Sequence, residues 1–524
     1  MNTAEFLTIS AAIVPDRVAV VGEDERVSYA ELQTRANRLA QALQALGVGK
    51  GANVGMMAVN SPAYAEIYYA SAAVGATFVP LNYRAKPEEL SYMVNAADVN
   101  VLFVEERYWS IYQDMKSAVP GVQHAFPLGF AAGGSQSYSA LRDSGEDIPV
   151  FADIDDGDPT LIIYTSGTTS LPKGVVLSYR ALTALVVNTQ SPADPSSNQE
   201  VVLVSVPFYH IAGATTLMSA VFSGRRLVVL PAFDPQSWLA AVEREKVTHA
   251  FVVPTMLKRV MEVDDFDQYD LSTLRLITYG AAPMPFEVVR HACDVFPPRG
   301  IGLMNAYGQT EATGSMSFLA PDDHRLDGTP EENERKVERL RSVGRPMPDI
   351  QVAIMAPDGR ALPVNEDGEI CIRGDRVMRG YNKRDDDTGE ALRDGWLHTG
   401  DVGKLDDDGY LFITGRLKDM IIRGGENIAP AEIENVLEDH PAIAEAAVIG
   451  VPDNEWGEII KAILVPDRGE RPGTEELTAY VKSRLASYKA PALYEWVDEL
   501  PRNHLGKILK TELRDKYGAA STAS

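Results

Sequence analysis

Residues 164–174 read YTSGTTSLPKG, a loop of hydroxyl and small side chains that contains one lysine. The loop follows the strand-like run PTLIIY, so its hydroxyls emerge at a strand end, where ligands of α/β sheets bind. Small residues let backbone N–H groups approach an anion, and Lys173 adds a positive charge. The stretch therefore indicates a phosphate site, with an ordinary Ser/Thr turn as the alternative. It is not a P-loop, because no helix-opening Ser or Thr follows Lys173.

Hydrophobic runs and helical stripes alternate on both sides of this loop. Near-continuous runs such as ANVGMMAV, EVVLVSVPF and HAFVVP are typical of strands buried on both faces. Helical segments lie between such runs, and in residues 28–48 Ser28 and Glu31 have the spacing of a capping box. This βαβ rhythm predicts an α/β fold with large parallel or mixed sheets.

The pattern changes after residue 350 to short segments with frequent Gly and Asp, which predicts a small twisted antiparallel β unit. The C-terminal residues again alternate helical and strand-like segments, enough for a small α+β domain. We therefore predict a large N-terminal domain over residues 1–417 and a small C-terminal domain over residues 418–524. The strongly charged segment 319–342 is predicted to be an exposed insertion.

Composition limits the class of protein and its partners. A chain of 524 residues exceeds one ordinary core, which agrees with at least two domains. The net charge of −25 disfavours nucleic acid as a partner. The only two cysteines, Cys293 and Cys371, are too few for a disulfide framework and are predicted to be buried thiols.

We expect a cytoplasmic protein without stable membrane insertion, because the N-terminus lacks a signal-peptide pattern and no apolar run reaches spanning length. The oligomeric state stays open, with a homodimer as one alternative.

Further short motifs follow the loop in a fixed order. They are PFYHIAG (207–213), YGAAPMP (279–285), NAYGQTE (305–311), GWLHTGD (395–401), GRLKDMIIRGGENIAPAEIE (415–434) and PRNHLGK (501–507). Together with residues 164–174 they make the chain similar to the adenylate-forming superfamily of acyl-CoA synthetases, aryl-CoA ligases, peptide-synthetase adenylation domains and firefly luciferase. The resemblance spans most of the chain and is strongest to the AMP-forming acyl-CoA synthetases. It implies that the C-terminal domain is mobile and that ATP, Mg²⁺ and coenzyme A are used.

The resemblance also implies roles for residues of the nucleotide site. The phosphate cradle is expected to comprise Thr165, Ser166, Gly167, Thr168, Thr169 and Lys173, and Thr165 and Glu311 are expected to hold Mg²⁺. Adenine is expected against Gly280, Ala281, Ala282, Asn305, Ala306, Tyr307, Gly308, Gln309 and Thr310. Asp401 is expected to hold the ribose hydroxyls, with Ile413 and Arg416 beside it. The loop departs from the family at Ser170, where glycine is usual, so the strength of nucleotide binding stays open.

The resemblance implies roles for other residues in catalysis and in the change from acyl-adenylate formation to thioester formation. Lys507 resembles the lysine that bridges the attacking carboxylate and the α-phosphate. Lys418 matches the hinge about which the C-terminal domain rotates, and Gly424 and Gly425 match the loop beside the pantetheine arm. His210 resembles the aromatic gate beside the carboxylate, although a packed neutral histidine has the same sequence pattern.

The acyl site is expected to accept an uncharged tail. The motif PFYHIAG lacks the aspartate with which amino-acid-activating relatives hold the substrate ammonium. Small or apolar residues match the positions that line the acyl pocket in relatives, namely Ile211, Ala212, Thr216, Ala281 and Gly308. The expected substrate is therefore a short or medium aliphatic, alicyclic or aromatic acid, activated as an acyl-adenylate and transferred to coenzyme A.

Two other functions remain as alternatives. The first is an acyl-AMP ligase that loads a separate carrier protein. The second is a catalytically weak adenylate-binding regulatory protein marked by Ser170, against which the joint presence of Glu311, Asp401, Arg416 and Lys507 argues. An unrelated kinase would form ADP rather than AMP.

Overall fold

A computed structural model describes residues 1–165, 171–424, 426–453, 455–467, 469–502 and 508–518. Within these ranges the strands are β1 (Val18–Val21), β2 (Arg26–Ser28), β3 (Asn53–Met57), β4 (Thr77–Pro80), β5 (Val99–Glu105), β6 (His124–Leu128), β7 (Pro159–Thr165), β8 (Lys173–Ser178), β9 (Val201–Val204), β10 (Arg226–Val229), β11 (His249–Val252), β12 (Leu276–Gly280), β13 (Gly302–Gln309), β14 (Gly314–Leu319), β15 (Arg345–Pro346), β16 (Gln351–Met355), β17 (Gly368–Arg373), β18 (Gly380–Tyr381), β19 (Leu392–Arg393), β20 (Trp396–Leu405), β21 (Leu411–Arg416), β22 (Ile421–Arg423), β23 (Glu426–Ile428), β24 (Ile443–Asp453), β25 (Gly457–Pro466) and β26 (Leu493–Trp496).

The α-helices of the same ranges are α1 (Glu5–Ile13), α2 (Tyr29–Ala45), α3 (Pro62–Ala73), α4 (Pro87–Ala96), α5 (Glu106–Met115), α6 (Tyr138–Asp143), α7 (Tyr179–Thr189), α8 (Ile211–Phe222), α9 (Pro235–Glu245), α10 (Pro254–Met261), α11 (Phe286–Val295), α12 (Pro330–Arg339), α13 (Asp385–Ala391), α14 (Pro430–Glu438), α15 (Thr474–Lys482) and α16 (Lys510–Tyr517). Short 3₁₀ turns occur at Thr310–Ala312, Pro321–His324 and Leu417–Asp419. No helix in the described part of the chain is both long enough and apolar enough to cross a bilayer.

Two mixed sheets with parallel centres form the large domain. One has the strand order β15-β14-β13-β12-β11-β9-β10-β1-β2, and the other has the order β18-β8-β7-β4-β3-β5-β6. Strands β9 to β12 pair in parallel and consist of runs whose Val, Ile and Leu side chains are almost all buried. The predicted α/β fold is therefore confirmed. The apolar runs indicated these strands because a strand covered on both faces is apolar along nearly its whole length.

Helices α2 and α3 pack between the two sheets. The predicted capping box starts α2, because Glu31 N donates to Ser28 Oγ at 3.2 Å while Ser28 N donates to Glu31 Oε2 at 2.8 Å. The apolar stripe of α2 is fully buried at Leu32, Leu39 and Leu43 in the core shared with both sheets. These contacts join the two sheets into one domain.

The predicted twisted β unit is also confirmed. Strands β16, β17, β20 and β19 pair antiparallel in that order, and β21 pairs with β20. Both cysteines are buried and unpaired, as expected, with Cys371 on β17 and Cys293 on α11.

The charged segment 319–342 is only partly the exposed insertion that its composition predicts. No residue of α12 is buried. Asp323 and His324, however, are 8% and 0% exposed. His324 Nε2 lies 2.8 Å from the Tyr279 hydroxyl, and Asp323 Oδ1 accepts a hydrogen bond from the Tyr410 hydroxyl at 2.9 Å. Burial lowers the pKa of His324 to about 4, so this side chain is a neutral core residue near neutral pH.

A separate small sheet forms the core of the C-terminal residues. Its order is β23-β22-β25-β24, with β26 paired in parallel to β25, and helices α14 and α15 cover an apolar face. Strand β21 pairs in the twisted unit, whereas β22 pairs in this sheet, so the change of sheet occurs between Arg416 and Ile421. The assignment of the domain boundary to residues 417 and 418 stays a prediction.

Glu438 at the end of α14 makes the stability of this sheet depend on pH. Burial, reinforced by the charges of Glu434 and Glu445, raises its pKa from 4.5 to about 7, against the opposing hydrogen bond from Ala446 N and the charge of Arg502. Lys510 faces the same cluster through its ion pair with Glu434. Because the folded pKa lies above the unfolded one, the folded state binds more protons between these values, and stability falls as pH rises from about 4.5 to 7.

We expect Glu438→Gln to remove most of this pH dependence, worth about 3 kcal/mol, because the amide keeps the shape without the buried charge. Urea unfolding followed by circular dichroism between pH 5 and pH 8 measures it, with exposed Glu475→Gln as the charge-matched control. If the free energy of unfolding of Glu438→Gln changed with pH as steeply as that of Glu475→Gln, Glu438 would not be the source of the pH dependence.

Candidate functional site

The hydroxyl-rich loop connects the antiparallel strands β7 and β8. Thr165 ends β7 and is the register partner of Lys173, which begins β8. The Thr165 hydroxyl donates to the Lys173 carbonyl oxygen at 3.4 Å. The hairpin thus places the first hydroxyl and the lysine of the motif side by side. Five loop residues lie outside the described residues, namely Ser166, Gly167, Thr168, Thr169 and Ser170.

Lys173 and Glu311 are linked through one tyrosine. The Lys173 ammonium lies 5.0 Å from the centre of the Tyr381 ring, and the Tyr381 hydroxyl donates to Glu311 Oε1 at 2.9 Å. Glu311 lies in the 3₁₀ turn that follows β13. Burial, with the Glu311 charge second, raises the pKa of Tyr381, so its hydroxyl keeps its proton and donates. The two predicted phosphate and metal residues are therefore brought together.

Lys173 also forms an ion pair with Oδ1 of Asp387 on α13. The other carboxylate oxygen of Asp387 lies 3.3 Å from Arg384 NH1. Sequence reasoning missed both Asp387 and Tyr381. The only signal in the sequence is an acidic run beside Gly380-Tyr381, and nothing in its spacing points to a lysine more than two hundred residues earlier. The contact arises because β18 pairs with β8.

The motifs YGAAPMP and NAYGQTE meet at the ends of adjacent parallel strands. Gly280 on β12 is the register partner of Ala306 on β13, and a Cβ on Gly280 would lie 2.1 Å from the Ala306 carbonyl oxygen. Ala281 follows with a φ of +67°, which turns the chain away from the sheet. Since small residues line this turn, a flat ring system has access to the backbone here.

Asp401 is the most constrained carboxylate of the site. It is 3% exposed and accepts hydrogen bonds from two elements. The Tyr307 hydroxyl donates to Oδ2 at 2.7 Å, and Arg416 Nε contacts Oδ1 at 2.7 Å across the β20–β21 pair. Burial, then the Asp401 charge, raises the pKa of Tyr307, so this hydroxyl stays a donor. Each carboxylate oxygen retains capacity to accept another hydrogen bond.

A glutamate that sequence reasoning missed supports the turn before Asp401. Glu369 Oε1 accepts from Gly400 N at 3.2 Å, and Glu369 Oε2 lies 2.6 Å from His398 Nδ1. The Thr399 hydroxyl bridges the same strands, donating to Ile370 O at 2.7 Å and accepting from Asp401 N at 3.1 Å. Glu369 therefore fixes the backbone from which Asp401 projects.

Three of the five predicted acyl residues, Ile211, Ala212 and Thr216, lie in the first turns of α8, whereas Ala281 follows β12 and Gly308 lies on β13. His210 is the N-cap of this helix, and its ring centre is 4.3 Å from that of Tyr209. The Thr216 hydroxyl donates to the Ala212 carbonyl at 2.7 Å. Ile211 approaches Gly314 on β14, where an added Cβ would lie 3.9 Å from the isoleucine. Ile413 lies on β21 as the register partner of Gly403.

The predicted hinge lies in the 3₁₀ turn Leu417–Asp419. Burial, with the nearby charge of Arg416 second, lowers the pKa of Lys418. The neighbouring Asp419 holds Arg514 of α16 at 2.6 Å. Gly424 has a φ of +59°, and a Cβ there would lie 2.9 Å from the Trp456 ring. Gly425 and Lys507 lie outside the described residues.

Comparisons with known proteins agree with the sequence motifs. A family model described as AMP-binding enzyme matches residues 7–382, and one described as AMP-binding enzyme C-terminal domain matches residues 432–507.

Individual relatives are similar over nearly the whole chain. A feruloyl-CoA synthase from an Amycolatopsis species is 38% identical over 509 residues, covering 97% of each chain. The fatty acid–[acyl-carrier-protein] ligase ScoC of Streptomyces coeruleorubidus is 34% identical, covering 96% of this chain and 94% of the relative. The solved structure of a Mycobacterium tuberculosis fatty acyl CoA synthetase is 31% identical with a TM-score of 0.78, covering 99% of this chain and 98% of that one.

Proposed function

The chain belongs to the AMP-binding enzyme family, and on that premise we propose that it is an AMP-forming ligase that joins a carboxylic acid to coenzyme A. A carboxylate oxygen attacks the α-phosphorus of ATP and pyrophosphate leaves. The thiol sulfur of coenzyme A then attacks the acyl carbon and AMP leaves. The observation that carries the proposal is the buried Asp401 carboxylate, held by Tyr307 and Arg416 with capacity for ribose hydroxyls.

The nucleotide is proposed to lie across the ends of β12, β13 and β20. Asp401 accepts hydrogen bonds from the ribose, with Arg416 and Ile413 beside it. The adenine ring packs between the turn at 280–282 and Tyr307, whose hydroxyl is already held by Asp401. The other adenine neighbours are Asn305, Ala306, Gly308, Gln309 and Thr310. Since Tyr307 is tied at its hydroxyl, its ring presents a fixed face for stacking.

The phosphates are proposed to lie over the hairpin turn between β7 and β8. Lys173 supplies a charged donor and Thr165 a hydroxyl oxygen from the two strands, and residues 166–169 complete the cradle. Thr165 and Glu311 fit Mg²⁺, because both offer the oxygen ligands that this hard ion prefers. When bound, Mg²⁺ neutralises phosphate charge. Tyr381 orients the Glu311 carboxylate by donating to one of its oxygens.

Lys507 is proposed to stabilise the charge that develops between the acid and the α-phosphate. Its removal from the site before thiol attack requires the C-terminal residues to rotate, with Lys418 as the hinge. Gly424 and Gly425 then pass beside the pantetheine arm. The Asp419–Arg514 ion pair supports this assignment, since a hinge turn needs partners that fix one of its orientations.

The substrate is proposed to be an acid with an uncharged aliphatic, alicyclic or aromatic tail. Ile211, Ala212, Thr216, Ala281 and Gly308 line its pocket, and His210 lies at the carboxylate end. The Thr216 hydroxyl donates its proton to the Ala212 carbonyl, so it has no proton to donate to a polar tail. The similarity to a feruloyl-CoA synthase makes aromatic acids the first class to test. The carrier-protein ligase relative keeps a carrier thiol as the alternative acceptor.

Product analysis tests the function. With ATP, Mg²⁺, coenzyme A and a panel of aliphatic, alicyclic and aromatic acids, we expect AMP and pyrophosphate with one acid class and thioester only with coenzyme A. Lys507→Ala should lose adenylation by about a hundredfold or more, because one charge-stabilising donor is removed. The same variant should retain thioester formation from a supplied acyl-adenylate. ADP as product would refute the ligase, and acyl-AMP that reacts only with a carrier protein would favour the alternative acceptor.

Asp387→Asn tests the phosphate role of Lys173. Since Asp387 competes with phosphate for the lysine, its removal should tighten ATP binding by about two- to fivefold, the value of a modest ion pair. Calorimetry measures the affinity. Asp386→Asn is the control, because it removes the same charge from an exposed neighbour in the same helix. Equal affinities of the two variants would argue against a phosphate contact by Lys173.

A further inference from the structure

A second cluster of chemically active side chains lies behind the Asp401 turn. It comprises Glu369 and Cys371 on β17 and His398 on β20. One ligand atom from each residue, a carboxylate oxygen, Sγ and a ring nitrogen, lies within 4.8 Å of the others. Cys371 and His398 are register partners, so neighbouring antiparallel strands hold their side chains together.

The distances are close to those of a metal site. His398 Nδ1 lies 3.4 Å from Cys371 Sγ and 2.6 Å from Glu369 Oε2. In a tetrahedral zinc site the usual bond lengths place such ligand atoms about 3.4–3.6 Å apart. The sulfur–nitrogen separation already matches, and the oxygen–nitrogen separation needs to lengthen by less than about 1 Å. The change moves Glu369 Oε2, which also lies 3.5 Å from Arg393 NH2, away from the His398 ring.

We propose that Glu369, Cys371 and His398 bind a thiophilic divalent cation of the zinc class, with water as the fourth ligand. Thiolate, imidazole and carboxylate are the ligand types that this class takes. Binding releases the Cys371 thiol proton to solvent and shifts the ring proton of His398 to Nε2, so that Nδ1 offers its lone pair. Mg²⁺ is excluded, because it disfavours sulfur.

The site is coupled to the turn that carries Asp401. Glu369 Oε1 holds Gly400 N, and its Oε2 is the proposed metal ligand. Drawing the carboxylate toward a cation weakens the bond to Gly400, and Asp401 follows immediately. Metal and nucleotide should therefore bind antagonistically, each lowering the affinity of the other by the same factor. This coupling rests on the proposed nucleotide role of Asp401, whereas metal binding does not.

Cobalt(II) is the probe, because its complexes with thiolates have a charge-transfer band in the near ultraviolet. The full chain contains only two cysteines, so Cys293→Ser is a matched control for Cys371→Ser. We expect one equivalent of cobalt to produce the band in the wild type and in Cys293→Ser. The band should be lost in Cys371→Ser and in His398→Gln, and zinc should displace it in the wild type.

The wild-type titration decides whether a thiolate site exists, and retention of the band in Cys293→Ser assigns it to Cys371, the one remaining cysteine of that variant. Absence of the band in the wild type, or its persistence in Cys371→Ser that retains the native circular dichroism spectrum, would overturn the proposal. Glu369, Cys371 and His398 would then act only as a hydrogen-bonded support for the turn that precedes Asp401.

Calorimetry with AMP, which chelates zinc far less than ATP, tests the coupling. AMP affinity should fall when zinc fills the site in the wild type and should not change in Cys371→Ser. An unchanged affinity in the zinc-loaded wild type overturns the coupling. A failed ligase assay leaves the cobalt result intact, so the two proposals fail separately.

Discussion

The site depends on one buried carboxylate, because Asp401 joins three parts of the chain. Tyr307 reaches it from the nine-stranded sheet, Arg416 from the strand that precedes the proposed hinge, and Glu369 fixes the turn before it. A carboxylate that is 3% exposed is tolerated only with such donors, since an unpaired buried charge is strongly unfavourable. The donors that stabilise this carboxylate also fix its orientation.

The overall charge of the chain makes local donors essential. With a net charge of −25, the protein repels anions such as ATP over most of its surface. Lys173 is the donor that we propose for phosphate, and its ion pair with Asp387 holds the ammonium at the hairpin. Tyr381 adds a ring contact to the same ammonium and a hydrogen bond to Glu311, so a single tyrosine orients both groups.

Local sequence patterns predicted the helices and strands well. They did not predict contacts between residues that are far apart in the sequence. Continuous apolar runs identified β3, β9 and β11, and Ser28 with Glu31 identified the start of α2, because these signals are complete within a few residues. The burial of Asp323 and His324 depends on tyrosines far away in the sequence, which composition does not reveal. Asp387, Tyr381 and Glu369 were missed for the same reason. The proposed roles of Asp401 and Lys507 come from the family resemblance, since by sequence alone the first resembles a turn aspartate and the second a surface lysine.

The most direct test compares ATP with 2′,3′-dideoxy-ATP in calorimetric binding to the wild type and to Asp401→Ala. The wild type should bind the dideoxy nucleotide more weakly by about tenfold or more, because hydrogen bonds to a charged acceptor are lost. Asp401→Ala should bind both nucleotides equally and weakly. If the variant still prefers ATP as strongly as the wild type does, Asp401 does not hold the ribose and this account of the site is wrong.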